Sequence, residues 1–263
     1  MRWRCFALAA ALVVGGTAAR PAAAVDLALV LLNDVSKSMD SEEYALVKNG
    51  YRSAFADPEV IAALIGGNGS GVAVTYVEFS GKDEIRTVLG WRLLTDAASA
   101  RTFGEDIAAA PRSSVGNTAL AAALAEASRL LQAGDFGTAR RVIDVASDHP
   151  NDGGRSEAVR DAAVAAGLTI NALAIVDERP IGTIDGQLSY STARWGTVND
   201  VEFYLQDVVG GPGSFAVEAR SYEVFGEALK RKLLLEFIAT PEGETRPNVL
   251  RVAAAEVAPP QPE

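Results

Sequence analysis

The chain alternates between short apolar runs, typical of buried strands, and longer segments with apolar residues at helical spacing. The run LALVLL predicts a strand over about 26–33, and its lack of polar residues indicates burial on both faces. Three other runs predict further strands: GVAVTYVEFSG, ARRVIDVASD and LTINALAIV. The segment EIRTVLGWRLLTD is a candidate hairpin partner or adjacent edge strand.

Helical patterns separate these runs. Asp40 and Glu43 form a capping box that begins one helix, and its shared apolar face consists of Tyr44, Val47, Tyr51 and Phe55. Further helices are predicted over 96–109, 118–132, 219–238 and the segment GRSEAVRDAAVAAG. Strands that alternate with helices of this length predict a doubly wound α/β domain. Its central sheet is expected to be mostly parallel, with helices on both faces.

The first 24 residues have the pattern of a secretory signal peptide. A basic start, MRWR, precedes an apolar run that is too short to span a bilayer, and the segment ends in an A-x-A cleavage pattern. We therefore predict cleavage near Ala24 and a periplasmic or secreted product without stable membrane insertion. The folded domain is predicted over 25–239, and 240–263 is predicted to be a loose tail.

Composition excludes several classes of function. The single cysteine, Cys5, lies in the predicted signal, so the mature chain would have no disulfide, thiolate zinc site or cysteine nucleophile. Loss of three signal arginines changes the formal net charge from −10 to −13. A surface this acidic argues against nucleic acids and anionic membranes as partners.

Oxygen-bearing side chains follow the predicted strands where the sheet is expected to bind ligands. Asp34, Ser36 and Ser38 follow the first strand, Thr118 begins a helix, and Asp148 ends a later strand. Each group alone is also typical of a helix cap or an Asx turn. Together, carboxylates and hydroxyls without thiolates suit a hard cation, with Mg²⁺ expected and Mn²⁺ or Ca²⁺ as alternatives.

These residues resemble the metal-ion-dependent adhesion site of von Willebrand factor type A domains. Asp34, Ser36 and Ser38 match the D-x-S-x-S loop of that site, Thr118 matches its second loop and Asp148 its third. The segments VIDVASDHPND and GGPGSFAV more narrowly resemble the DUF1194 group of exported bacterial proteins. The resemblance covers about residues 26–238.

The resemblance implies a metal-dependent binding module without enzymatic activity. Ser36, Ser38 and Thr118 would supply neutral hydroxyl ligands, while Asp34 and Asp148 would bind the cation directly, through water, or by holding the hydroxyls. A carboxylate from a partner protein would complete the coordination. His149 departs from the family, which commonly has glycine there; it is either an extra ligand at the rim or a surface residue.

Two other classes of function are possible from the residues. Asp34 could be the nucleophile of a metal-dependent hydrolase, although Ser36 stands where that chemistry needs a second acid. A periplasmic small-molecule receptor could use Trp91, Tyr190 and Trp195, although such receptors generally have two lobes. The irregular segment 177–199 is either functional or contains short structure that its pattern does not show.

Overall fold

The computed structural model describes residues 25–67, 69–148, 155–176, 180–184, 187–190, 201–238 and 248–252. The predicted signal peptide, His149, Trp195 and most of the predicted tail lie outside the described residues. None of the described helices is long and apolar enough to cross a membrane.

Nine strands are described along the chain: β1 (Leu27–Asp34), β2 (Val72–Phe79), β3 (Ile85–Leu94), β4 (Arg140–Ser147), β5 (Thr169–Ile175), β6 (Pro180–Ile184), β7 (Gln187–Tyr190), β8 (Phe215–Ala219) and β9 (Asn248–Val252). Seven of them form one sheet in the order β3-β2-β1-β4-β5-β8-β9, and β6 and β7 form a separate antiparallel pair. In the main sheet β3 pairs with β2 in antiparallel fashion, and the other neighbours are parallel. β1 and β4 therefore lie side by side near the middle.

Within the described ranges there are seven α-helices: α1 (Ser41–Ala56), α2 (Pro58–Ile65), α3 (Ala97–Ala109), α4 (Leu120–Ala133), α5 (Glu157–Ala165), α6 (Val201–Phe203) and α7 (Phe225–Ile238). A π-helical turn, Tyr204–Val208, follows α6 directly. Residues from α1, α2, α3 and α7 pack on one face of the sheet, and residues from α4 and α5 pack on the other. This arrangement confirms the predicted doubly wound, mostly parallel α/β fold.

The capping box at the start of α1 forms as the sequence predicts. The backbone amides of Glu42 and Glu43 both donate to Asp40 Oδ1, and the Asp40 amide donates to Glu43 Oε2 over 2.7 Å. This capping box satisfies amides that have no partner within the helix. It also ends the polar loop after β1 at a fixed residue, and Asp34, Ser36 and Ser38 all lie in or next to that loop.

Two segments differ from their predicted structure. The predicted helix over 219–238 begins only at Phe225, because β8 pairs with β5 up to Ala219. Residues 248–252, expected in a loose tail, form β9 beside β8. Segment 177–199 contains the β6–β7 pair, which agrees with the alternative that it has short structure. For the helix over 219–238 and for the tail, the sequence pattern did not show that a short segment pairs as a strand.

Candidate metal site

The structure brings all five predicted site residues together at the carboxyl ends of β1 and β4. Asp34 is the last residue of β1, and Ser36 and Ser38 lie in the loop that follows it. Asp148 comes directly after β4, and Thr118 lies just before α4. Three separate segments of the chain therefore contribute to one cluster.

The hydroxyl groups of this cluster form one chain of hydrogen bonds. Thr118 Oγ1 donates to Ser36 Oγ over 3.0 Å, and Ser38 Oγ donates to Asp148 Oδ1 over 2.8 Å. The Ser36 and Ser38 hydroxyl oxygens are 2.9 Å apart. Each hydroxyl has one proton, and that of Ser38 goes to Asp148, so Ser36 must donate to Ser38. The chain thus runs from Thr118 through both serines to a carboxylate.

Asp34 lies behind these hydroxyls and is fully buried. Its Oδ1 accepts a hydrogen bond from the Ser36 amide over 2.8 Å, and its Oδ2 accepts one from Ser147 Oγ over 2.6 Å. Burial raises the pKa of Asp34 to about 7, and the negative charge of Asp148 contributes to the increase. The two carboxylates therefore concentrate negative charge at this end of the sheet.

Asp148 is held by a residue that the sequence pattern does not indicate. The Tyr222 hydroxyl, from the segment between β8 and α7, donates to Asp148 Oδ2 over 2.8 Å. Tyr204 similarly donates to the carbonyl oxygen of Ser147 over 3.0 Å. Ser147 could have been identified, because it belongs to the polar end of a predicted strand. The two tyrosines come from distant segments and carry no local signal.

A buried network of charged and polar side chains contacts the segment that carries Thr118. Glu78, on β2, is fully buried, and its Oε1 accepts hydrogen bonds from Lys48 Nζ, Tyr44 and Tyr76 at 3.0–3.2 Å. Its Oε2 accepts from the Ser113 amide over 2.9 Å. Because Ser113 belongs to the segment that carries Thr118, this carboxylate connects the sheet to the second loop of the site.

The donor set fits a hard divalent cation. It consists of two carboxylates and three neutral hydroxyls, all of them oxygen ligands of the kind that Mg²⁺ and Ca²⁺ prefer. A cation would also offset the negative charge of Asp148, which adds to the effect of burial in raising the pKa of Asp34. Among the described residues there is no group of three or more histidine, cysteine, aspartate or glutamate side chains that could hold a metal ion. Any cation here would thus depend on the hydroxyls.

The sheet order and the helices on both faces match a von Willebrand factor type A, or Rossmann-like, fold. The chain also matches, over residues 24–241, the family model described as "Protein of unknown function (DUF1194)". The chain therefore belongs to the DUF1194 family, as its sequence motifs predicted. No curated protein matches it.

Solved structures with the same fold differ widely in length. The pilus adhesin SpaC from Lactobacillus rhamnosus GG, in its open conformation, is 16% identical with a TM-score of 0.52; the match covers 80% of this chain and 30% of SpaC. Proximal thread matrix protein 1 from the mussel byssus is 17% identical with a TM-score of 0.51, over 82% and 47% of the two chains. BatB from Bacteroides thetaiotaomicron is 19% identical with a TM-score of 0.50, over 80% and 98%. At these identities the likeness shows the fold alone.

Proposed function

We propose that the protein is a binding module in which a divalent cation, held by the five-residue cluster, binds an acidic group of a partner protein. The observation that carries this proposal is the hydrogen-bonded chain of oxygens from Thr118 to Asp148, assembled from three segments. A structural cap or turn would use residues close in sequence, whereas Thr118 and Ser36 are 82 positions apart.

The chemistry of the residues supports binding rather than catalysis. Ser36, Ser38 and Thr118 are neutral ligands, and Asp34 is fully buried and already accepts two hydrogen bonds. Asp34 thus holds the Ser36 backbone and the Ser147 hydroxyl, and its burial shields it from a substrate. A cation bound mainly by neutral hydroxyls would remain electrophilic and could accept one more anionic oxygen ligand.

Because the domain is acidic, an acidic group of a partner is expected to bind only when the cation is present. With a formal net charge of −10 for the whole chain, the domain repels acidic partners at long range. The cation would provide local attraction at the carboxyl end of the sheet. Binding of an acidic protein surface is therefore expected to depend on the divalent cation and to be lost in EDTA.

Cation binding can be tested by calorimetric titration and thermal unfolding with Mg²⁺ or Mn²⁺ against EDTA. We expect wild-type stability to increase with the cation, since a ligand that binds the folded state alone stabilises it. Thr118→Ala and Ser38→Ala should reduce this increase. Thr102→Ala and Ser53→Ala, at exposed positions on α3 and α1, are matched controls that should retain it.

The result that contradicts the proposal is equal cation binding by Thr118→Ala, Ser38→Ala and wild type. Partner binding is tested separately with an immobilised protein and a periplasmic extract, with and without EDTA. Proteins retained only in the presence of Mg²⁺ would support an adhesion-type role. Stabilisation by sugars or amino acids, with no response to cations, would instead indicate a small-molecule receptor.

A further inference from the structure

Arg112 connects two of the three segments that form the candidate metal site. It lies between α3 and α4, in the same loop as Thr118, and its guanidinium reaches the loop after β1. Its Nε and Nη2 donate to the Val35 carbonyl oxygen over 3.1 and 2.8 Å. Its Nη2 also donates to the carbonyl oxygens of Ser36 over 2.7 Å and Met39 over 2.9 Å. One side chain thus binds three carbonyl groups in the loop that follows β1.

A second connection joins the same two loops on the other side of Ser36. The Lys37 amide donates to the Gly116 carbonyl oxygen over 2.9 Å. The direct contact between Thr118 and Ser36 belongs to the same pair of loops. The backbone around Ser36 is therefore bound to the Thr118 loop at two points, through Arg112 and through Gly116, and neither contact needs a cation.

The guanidinium is itself held in place. Its carbon lies 5.4 Å from the centre of the Tyr44 ring, a favourable cation–π distance, and the Tyr44 hydroxyl donates to Glu78. The next residue, Ser113, donates its amide to the same carboxylate. Arg112 therefore lies between a fixed ring and a fixed backbone, which restricts the positions that its side chain can take.

We propose that Arg112 is a positioning residue for the cation site: it fixes the backbone from 35 to 39 and thereby the directions of the Ser36 and Ser38 hydroxyls relative to Thr118. This inference rests on the proposed function and adds a residue that touches neither the cation nor its partner. The Nε and Nη2 of the planar guanidinium donate together to the Val35 carbonyl oxygen, and a lysine ammonium does not have this rigid pair of donors. Arginine is therefore specifically required.

The test compares Arg112→Lys and Arg112→Gln with wild type in calorimetric titrations with Mg²⁺. Loss of a residue that orients metal ligands typically weakens metal binding by about ten- to a hundredfold, and we expect a decrease of that size for both variants. Thermal unfolding in EDTA reports the purely structural loss, and the additional stabilisation by Mg²⁺ reports the site. Arg129→Lys and Arg129→Gln are matched controls, because Arg129 is exposed and pairs only with Glu126 in the contacts described.

The outcomes separate this inference from the proposed function. If wild type does not bind Mg²⁺, the proposed function fails whatever Arg112 does. If wild type binds Mg²⁺ and folded Arg112 variants bind it equally well, the positioning role is wrong. A decrease in stability in EDTA with unchanged Mg²⁺ affinity would also overturn it, because that result indicates a structural role alone.

A measurement on the wild-type protein keeps the inference testable if the variants do not fold. In EDTA, amide hydrogen exchange should already be slow in residues 35–39 and 113–118, because Arg112 and the Gly116 contact hold both loops without a cation. Fast exchange in both loops in EDTA, with protection only after Mg²⁺ is added, would overturn the proposal.

Discussion

The hydroxyl of Tyr222 donates a hydrogen bond to Asp148 Oδ2 over 2.8 Å, across 74 positions of the chain. Asp148 also accepts the hydrogen bond from Ser38, so this phenol fixes the carboxylate that ends the hydroxyl chain. The segment between β8 and α7 is thereby connected to the candidate metal site, although the pattern of its sequence does not indicate any such role.

Tyr222→Phe should decrease the free energy of unfolding in EDTA by about 1.5–3 kcal/mol, the usual contribution of a hydrogen bond to a charged group. Tyr51→Phe is the matched control and should cost less, because the Tyr51 hydroxyl lies 3.4 Å from Asn33 Oδ1. Urea unfolding measures both variants. If the decrease for Tyr222→Phe is no larger than that for Tyr51→Phe, the contact with Asp148 contributes little.

Lys48→Met should destabilise the protein strongly, by about 3–5 kcal/mol, because it leaves the buried Glu78 carboxylate without its cationic partner. The double variant Lys48→Met with Glu78→Gln should recover part of this loss, because it removes the charge as well. Urea unfolding of the three variants and wild type gives the double-mutant cycle. If the effects of Lys48→Met and Glu78→Gln on the free energy of unfolding simply add in the double variant, the two side chains are not energetically coupled.

Gly116→Ala should displace the Thr118 loop. An added Cβ would lie 2.0 Å from Glu84 Oε2 and 3.1 Å from the Gly81 nitrogen, while Glu84 Oε2 accepts hydrogen bonds from Ser80 Oγ and the Gly81 amide. We expect a weaker Mg²⁺ response and a loss of about 1–2 kcal/mol, the cost of the disturbed hydrogen bonds.

Gly90→Ala serves as the control for this substitution, because a Cβ at Gly90 meets no atom within 4 Å. Adding Glu84→Ala to Gly116→Ala should restore part of the Mg²⁺ response by removing the side chain that the new methyl group meets. If the double variant responds to Mg²⁺ no better than Gly116→Ala alone, the steric explanation is wrong.

The pH dependence of stability should contain a contribution from Asp144. Burial raises the pKa of this carboxyl to about 7, although Lys232 Nζ lies 2.6 Å away and favours the charged form. Between about pH 4 and 7, the folded state therefore holds a proton that the unfolded chain has released. The stabilising contribution is complete below the unfolded pKa of 3.8 and is lost as the pH rises towards 7.

Asp144→Asn removes this titration and keeps the contact between Lys232 and Glu236 available. The free energy of unfolding, measured in urea and EDTA from pH 4 to 7.5, should fall more with rising pH in wild type than in the variant. The buried Asp34 is present in both proteins, so its own titration largely cancels in the comparison. A constant difference between the two proteins across this range would contradict the assignment.

Most of the fold could be predicted because its signals are local. The apolar run of β1, the capping box at Asp40 and the helical spacing of α4 each depend on neighbours in sequence. β8 is five residues long and merges into a helical pattern, and it becomes a strand because β5 offers an unpaired edge. That pairing is a tertiary interaction, so the sequence pattern placed Ala219 in a helix.

Of the residues at the candidate site, only the oxygen donors could be predicted from the sequence. Asp34, Ser36 and Ser38 form a motif with fixed spacing, and their neighbours in the folded site follow from the order of strands. Arg112 and Tyr222 act through carbonyl and carboxylate groups on other segments, and their spacing from those groups follows no local period. Residues of this kind are visible only after the chain has folded.

The position of β1 has a mechanical consequence. The strand has eight aligned residue pairs with β2 on one side and seven with β4 on the other, and the candidate site lies at its carboxyl end. A pull on a partner attached there, directed along the strand, would load these two ladders lengthwise, so that many hydrogen bonds share the force. A pull perpendicular to an edge strand would instead break the hydrogen bonds of its ladder one after another. A binding site at this position would therefore suit a module that holds a partner under tension.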